Sequence, residues 1–199
     1  MVLNDMEIRE RIAFSRLVEI PDKPYSKNWH YYNTAIQPAS YDFRLSSDFK
    51  RVKSLEWRKI DNLYADIEEP VEYADQPYRD GLTLQPREFM LGFTEEVVNM
   101  PADLGAFLSS RSSLGRAGLL VTFSTWVNPG YCGRISVELF NASNVPLRIR
   151  SGIRVLQGIF VPLTGRAEYE YMGKYQNSIE PTGSKFHEEF VSQKGADHE

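Results

Sequence analysis

The chain has 199 residues, 42% of them hydrophobic, 13% aromatic and 25% charged, a balance that supports a folded domain with a sizeable core and excludes a disordered polymer. Its single cysteine, Cys132, excludes an internal disulfide and a cysteine-built zinc site. A net charge of −4 argues against a surface made for a nucleic-acid polymer, whose phosphates demand many Lys and Arg contacts.

The opening stretch MVLNDMEIRERIAF mixes charges of both signs, and no apolar run nears the roughly 20 residues of a membrane span. Neither export nor a membrane partner is expected, and a cytoplasmic location follows. Asn4 and Glu7 have the spacing of a capping box, and Ile8, Ile12 and Leu17 form an apolar stripe, so a short N-terminal helix is predicted. Pro21 and Pro24 forbid its continuation. Trp29, Tyr31 and Tyr32 read as packing aromatics. Tyr41, Phe43 and Leu45 alternate with Asp42 and Arg44, the period of a half-buried strand with an ion pair between Asp42 and Arg44 on its polar face. The charged, turn-rich stretch from Lys50 to Gly81, with the acidic run Asp66 to Glu69, reads as a surface excursion or hairpin.

From Leu82 the pattern is plainly β. Alternation at Leu82 and Leu84 and at Phe89, Leu91 and Phe93 leads on to short apolar segments at Leu119–Phe123, Ile135–Phe140, Val145–Ile149, Ile153–Phe160 and Ala167–Tyr171. Gly and Pro turns separate them, so a mainly β barrel or sandwich is predicted. The stretch Gly173 to Phe186 has no apolar periodicity and is either frayed or laid over the body. One domain is expected over residues 1–190, with 191–199 a disordered tail.

Two constellations carry chemistry. In Arg111-Ser112-Ser113-Leu114-Gly115-Arg116, small residues let backbone N–H groups approach phosphate oxygens while two arginines supply charge and bidentate bonding. From Phe107 to Lys174 eight basic residues stand against three acidic ones, which suits a small, highly charged anion as well as it suits a set of solvated arginines. In GRISVELF, alternation puts Ile135, Val137 and Leu139 on one face and Ser136, Glu138 and Phe140 on the other. Glu138 becomes a proton shuttle if that face is closed, by the tail or by another subunit, and an ordinary strand residue if it is open. His30, His187 and His198 do not have the spacing of a zinc deaminase, and no GxSxG elbow is present.

The ordered motifs SYDFRL, MPADLGAFLSSRSSLGRAGLLV, WVNPGYCGRISVELFN, PLRIRSGIRVLQGIFVPL and GKYQNSIEPTGSK together resemble the dCTP deaminases of the dUTPase-like superfamily. The resemblance implies a distorted, jelly-roll-like β-barrel, a homotrimer with interfacial active sites, Mg2+ carried on the triphosphate rather than by protein ligands, and deamination of dCTP to dUTP without zinc. It implies Glu138 as the catalytic general base and acid, Ser112 and Arg116 beside the reaction centre, and Arg111, Ser113, Leu114 and Gly115 in the phosphate-binding segment. Asn128, Ser136, Val137, Tyr171, Lys174 and Ser178 are implied as further nucleotide-binding positions. The chain departs from the family pattern at Asn128, where an acidic residue is usual, at Ser178, where a glutamine is usual, and by one residue in the Leu120–Trp126 loop. A bifunctional enzyme taking dCTP to dUMP, and a nucleotide-binding homologue with weakened catalysis, are the alternatives.

Overall fold

The computed structural model describes residues 1–52, 73–77, 81–180, 183 and 185. Helix α1 (Asp5–Ser15) begins where the sequence predicts. The Glu7 backbone N–H donates to Asn4 Oδ1 and the Asn4 N–H donates to Glu7 Oε2, each at 2.9 Å, so two otherwise orphaned donors are satisfied reciprocally. Ile8 and Ile12 are its buried face; Leu17 is buried too, but beyond the helix, which closes at Arg16 in the left-handed region. Strand β1 (Val18–Glu19) follows, then helix α2 (Tyr25–Asn33), to which only Tyr32 contributes a fully buried side chain. The packing reading of the aromatic cluster therefore holds for Tyr32, whereas Trp29 is exposed.

The remaining elements are β2 (Ile36–Gln37), β3 (Ser40–Val52), β4 (Tyr73–Pro77), β5 (Leu82–Leu84), β6 (Phe89–Asn99), β7 (Leu104–Ser110), helix α3 (Ser112–Arg116), β8 (Leu119–Thr122), β9 (Trp126–Val127), β10 (Cys132–Asn141), β11 (Leu147–Ile149) and β12 (Arg154–Pro162). Among the described residues, the main sheet runs β8-β10-β6-β3-β12-β7-β9, with β1 added to β6 and β2 and β4 added to β3; β11 pairs with β5. Although β7 and β8 are far apart in that order, they touch. The sheet thus curls back on itself as a distorted, incompletely closed barrel. Its inner side chains, from Phe43 and Phe93 to Val137, Leu139 and Phe160, join α1 in one contiguous apolar cluster.

Strand β3 departs from the half-buried expectation: β12 pairs with its start and β6 and β4 with its later part, and every residue from Ser40 to Ser46 is buried, so both faces are covered there. Asp42 and Arg44 are both buried, and they do not pair with each other as a polar face would allow. Arg44 Nη1 instead bonds Glu96 Oε1 at 2.9 Å, while Asp42 lies 3.4 Å from Arg154 and 3.6 Å from Arg111. A carboxylate and a guanidinium buried in a sheet must each find a partner, and the long Arg111, Arg154 and Glu96 side chains reach these two from neighbouring elements. The β3–β4 pairing gives the Lys50–Gly81 excursion a hairpin base; Asp66 to Glu69 lie outside the described residues, as does 191–199.

The predicted strand Ala167–Tyr171 does not form. Two isolated backbone bonds, Ala167 N–H to Ala102 O and Tyr171 N–H to Pro129 O, anchor the segment without a ladder, and Tyr169 is exposed. The following tail is laid over the body. Gln176 clamps it, its amide donating to Gly130 O at 2.8 Å and accepting from Cys132 N–H at 2.9 Å. Gly130 has a φ of +81°, and a Cβ there would stand 2.4 Å from Glu170 Cβ, so the turn accepts the tail only as glycine.

Candidate active site

Strand β10 organises the site because its two edges are used differently. One edge pairs with β6 from Cys132 to Phe140, with a register shift at Ile135. Among the described residues, the other pairs with β8 from Glu138 to Asn141 and with the tail at Gly133, where Arg134 N–H donates to Ser178 O at 2.8 Å. The N–H of Ile135 bonds Thr94 Oγ1 on the β6 side at 3.0 Å. Strand alternation then aims the main-chain N–H and C=O of Ser136 into the gap between β8 and the tail. An unpaired stretch of strand edge of this kind reads a planar ligand through its donor and acceptor pattern.

The gap opens into a cleft of about 470 Å³, within the range of small-molecule sites. Glu138 and Ser136 enter from β10, Phe89 and Leu91 from β6, and Trp126 and Asn128 from β9 and its following turn; Tyr131, Tyr171 and Tyr175 form an aromatic side. Among the described lining residues Glu138 is the one charged side chain. Thr122 Oγ1 donates to Glu138 Oε2 at 2.7 Å. Asn128 Oδ1 accepts from Trp126 Nε1 at 3.2 Å, which leaves its amide NH2 as a donor. Tyr131 donates to Arg134 O at 2.6 Å and meets the Tyr171 ring edge-on at 5.8 Å; burial, followed by its tyrosine neighbour, raises its hydroxyl well above the ordinary range.

Of the positions singled out in the sequence, the single chain brings together Glu138, Ser136, Asn128 and Tyr171. Val137 is fully buried on the opposite face, so its side chain belongs to the core and only its backbone is available to a ligand; the β period forces this once Glu138 faces the cleft. Lys174 and Ser178 lie outside the lining. Lys174 Nζ donates to Lys185 O at 3.1 Å and sits 5.5 Å from the Tyr175 ring centroid, and the backbone of Ser178 ties the tail to β10.

The Arg111–Arg116 segment is not an open loop but the short helix α3, and it does not line the cleft of its own chain. Arg111 is drawn inward to Asp42, with Nη1 also donating to Arg154 O at 3.4 Å. Burial raises the Asp42 carboxyl above its ordinary value even with Arg111 and Arg154 opposing. Leu114 packs against the core, while Ser112, Ser113, Gly115 and Arg116 face solvent. The sequence reading passed over Phe89, Leu91, Trp126, Tyr131 and Tyr175. Trp126 and Tyr131 were within reach, since both lie in the WVNPGY run that pointed to Asn128. Phe89 and Leu91 become visible only through the β6–β10 register, which sets Leu91 opposite Glu138.

Fold and cleft together define a mainly β protein with an aromatic-walled, single-carboxylate site at an open strand edge. The family model described as dCTP deaminase-like matches residues 2–163, and the chain belongs to that family. It is 36% identical over 189 residues to a protein of Persephonella marina named "dCTP deaminase, dUMP-forming", covering 93% of this chain and 97% of that protein. A protein of the same name from Dictyoglomus turgidum is 36% identical over 196 residues, with 96% and 97% coverage. Among solved structures, 2'-deoxycytidine 5'-triphosphate deaminase from Agrobacterium tumefaciens superimposes with a TM-score of 0.61 at 24% identity. That match covers 80% of this chain and 46% of that one, and it shows a common fold. Among the described residues no helix is long and apolar enough to cross a membrane.

Proposed function

We propose that this protein converts dCTP to dUMP, by hydrolytic deamination at C4 of the cytosine and cleavage of the phosphoanhydride next to the α-phosphate, releasing ammonia and diphosphate. One observation carries the deamination half: among its described residues the cleft presents a single carboxylate, Glu138, beside a strand edge that offers the Ser136 main-chain N–H and C=O. In this reading the edge holds the base. Glu138 takes a proton from a water attacking C4 and delivers it to the ring nitrogen, then takes the proton of the new C4 hydroxyl and passes it to the amine, so that the C4–N bond breaks, ammonia leaves and C4 becomes a carbonyl. Among its described residues the lining contributes neither His nor Cys, and in this reading the Glu138 carboxylate carries the proton transfers.

The product is where the reading moves. The motifs favoured dUTP as the end point; the relatives of near-complete coverage carry "dUMP-forming" in their names, which favours the bifunctional alternative. Asn128 serves in it as a donor to the sugar, its oxygen being held by Trp126, and takes no proton.

A triphosphate needs cations, and no Lys or Arg is among the described residues that line the cleft. The exposed Arg116 and the hydroxyls of Ser112 and Ser113 on α3 supply that chemistry from a neighbouring copy, with Lys174 closing from the tail, and three copies arranged head to tail complete three such sites. Among the described residues there is no group of three His, Cys, Asp or Glu able to hold a metal. In this reading Mg2+ would be carried by the phosphate oxygens and its own waters, and would neutralise charge there. The cytoplasm, where such nucleotides are made, is the location this implies.

The test is incubation with dCTP and Mg2+ and separation of products. Equal amounts of dUMP, diphosphate and ammonia are expected. Accumulation of dUTP without diphosphate would confine the protein to deamination, and nucleotide binding without any product would defeat the proposal.

A further inference from the structure

We infer that Thr122 is a positioning residue for Glu138: its hydroxyl holds one carboxylate oxygen so that the other faces the cleft. The inference rests on the reading of Glu138 as proton shuttle. Thr122 is the last residue of β8 and Glu138 is its direct cross-strand partner. Immediately beyond this pair β8 peels away and the open edge of β10 begins, so the pair stands at the rim of the gap.

Thr122 Oγ1 donates to Glu138 Oε2 at 2.7 Å, a short bond of the charge-assisted kind. No other protein donor reaches the Glu138 carboxylate among the described residues. Its neighbours are committed elsewhere. Ser124 Oγ donates to Trp126 O at 3.2 Å, and the Asn128 oxygen is taken by the Trp126 indole. The two carboxylate oxygens are therefore made unequal by one side chain. Oε2 is tied to β8, and Oε1 is left to accept from a water or an amine. A glutamate on a strand has a freely rotating terminal torsion, and removing this donor releases it.

The consequence is specific to turnover. A group that orients the proton shuttle acts mainly in the transition state, so its loss lowers kcat and leaves KM largely unchanged. Thr122 is exposed and its replacement by Val keeps shape and β propensity, so Thr122→Val should fold. It is expected to lower kcat about tenfold, the lower end for a hydrogen bond to a charged group near solvent, with KM for dCTP within about twofold. Thr122→Ser, which keeps the hydroxyl, should recover most of the rate. In a Glu138→Gln background Thr122→Val should have no further effect. Wild-type kcat in Thr122→Val, or equal impairment in Thr122→Ser, overturns the inference. A crystal structure of Thr122→Val separates it from the proposed reaction. The Glu138 carboxylate should leave its position, and an unmoved carboxylate sinks the inference even if turnover is never seen. Absence of turnover in the wild-type protein counts only against the reaction.

Discussion

Arg44 and Glu96 form an ion pair inside the sheet, 2.9 Å apart, with side chains 4% and 0% exposed. Glu96 Oε2 also accepts the Arg44 backbone N–H at 2.8 Å, and Arg44 Nη2 reaches back to Tyr31 O and Thr34 Oγ1 at the end of α2. One buried pair thus locks a helix to two strands. Replacing Glu96 by Ala removes the hydrogen-bond partner of a buried guanidinium and, above about pH 7 where Glu96 is ionised, its counter-charge as well; there it should cost about 3 kcal/mol or more in denaturant unfolding.

The same pair predicts a pH dependence. Burial raises the Glu96 carboxyl from 4.5 to about 7, outweighing the bonds and charge from Arg44 that lower it. The folded chain then holds a proton to higher pH than the unfolded chain. The contribution of this group is greatest below the ordinary carboxylate value and is lost as pH rises toward 7. Denaturant midpoints of wild type relative to Glu96→Gln should fall across that window; a flat or rising difference would count against it.

Glu138→Gln keeps the size of the side chain and removes its basicity. Turnover of dCTP should drop by at least about a hundredfold, in line with the loss of a general acid–base group, while nucleotide affinity by calorimetry stays within a few-fold. Unchanged turnover would remove Glu138 from the chemistry.

If α3 of one copy completes the cleft of another, two inactive variants should rescue each other. Glu138→Gln and Arg116→Ala, each impaired alone, should regain activity when co-expressed. With random mixing, about a quarter of the sites draw both intact residues from different chains. No recovery in verified mixed oligomers would show that both residues act from one chain.

Asn128→Asp adds a carboxylate to a cleft that has one. The indole of Trp126 can still hold one oxygen, leaving the other free to activate a water near the phosphates. Diphosphate release from dUTP should rise by at least about tenfold, measured with a coupled phosphate assay. A rate equal to wild type would place residue 128 away from that step.

Some features of this protein follow from the chain's local physics. The Asn4–Glu7 capping box, the alternation that separates Glu138 from Val137, and the Gly and Pro punctuation of the strands depend on neighbours a few residues away, and each is present in the structure. The ordered motifs likewise led to the family that the chain matches over residues 2–163. What the sequence could not decide depends on partners far along the chain. Arg44 chooses Glu96, 52 residues away, over the adjacent-looking Asp42 because burial on both faces of β3 leaves no solvent to satisfy either charge. Ala167–Tyr171 alternates like a strand but finds no edge to pair with among the described residues. Phe89 and Leu91 reach the cleft through strand register, and Tyr175 through a tail held by Gln176. Alternation determines which side of a strand a residue occupies; the curl of the sheet and the resting place of the tail determine what it meets there.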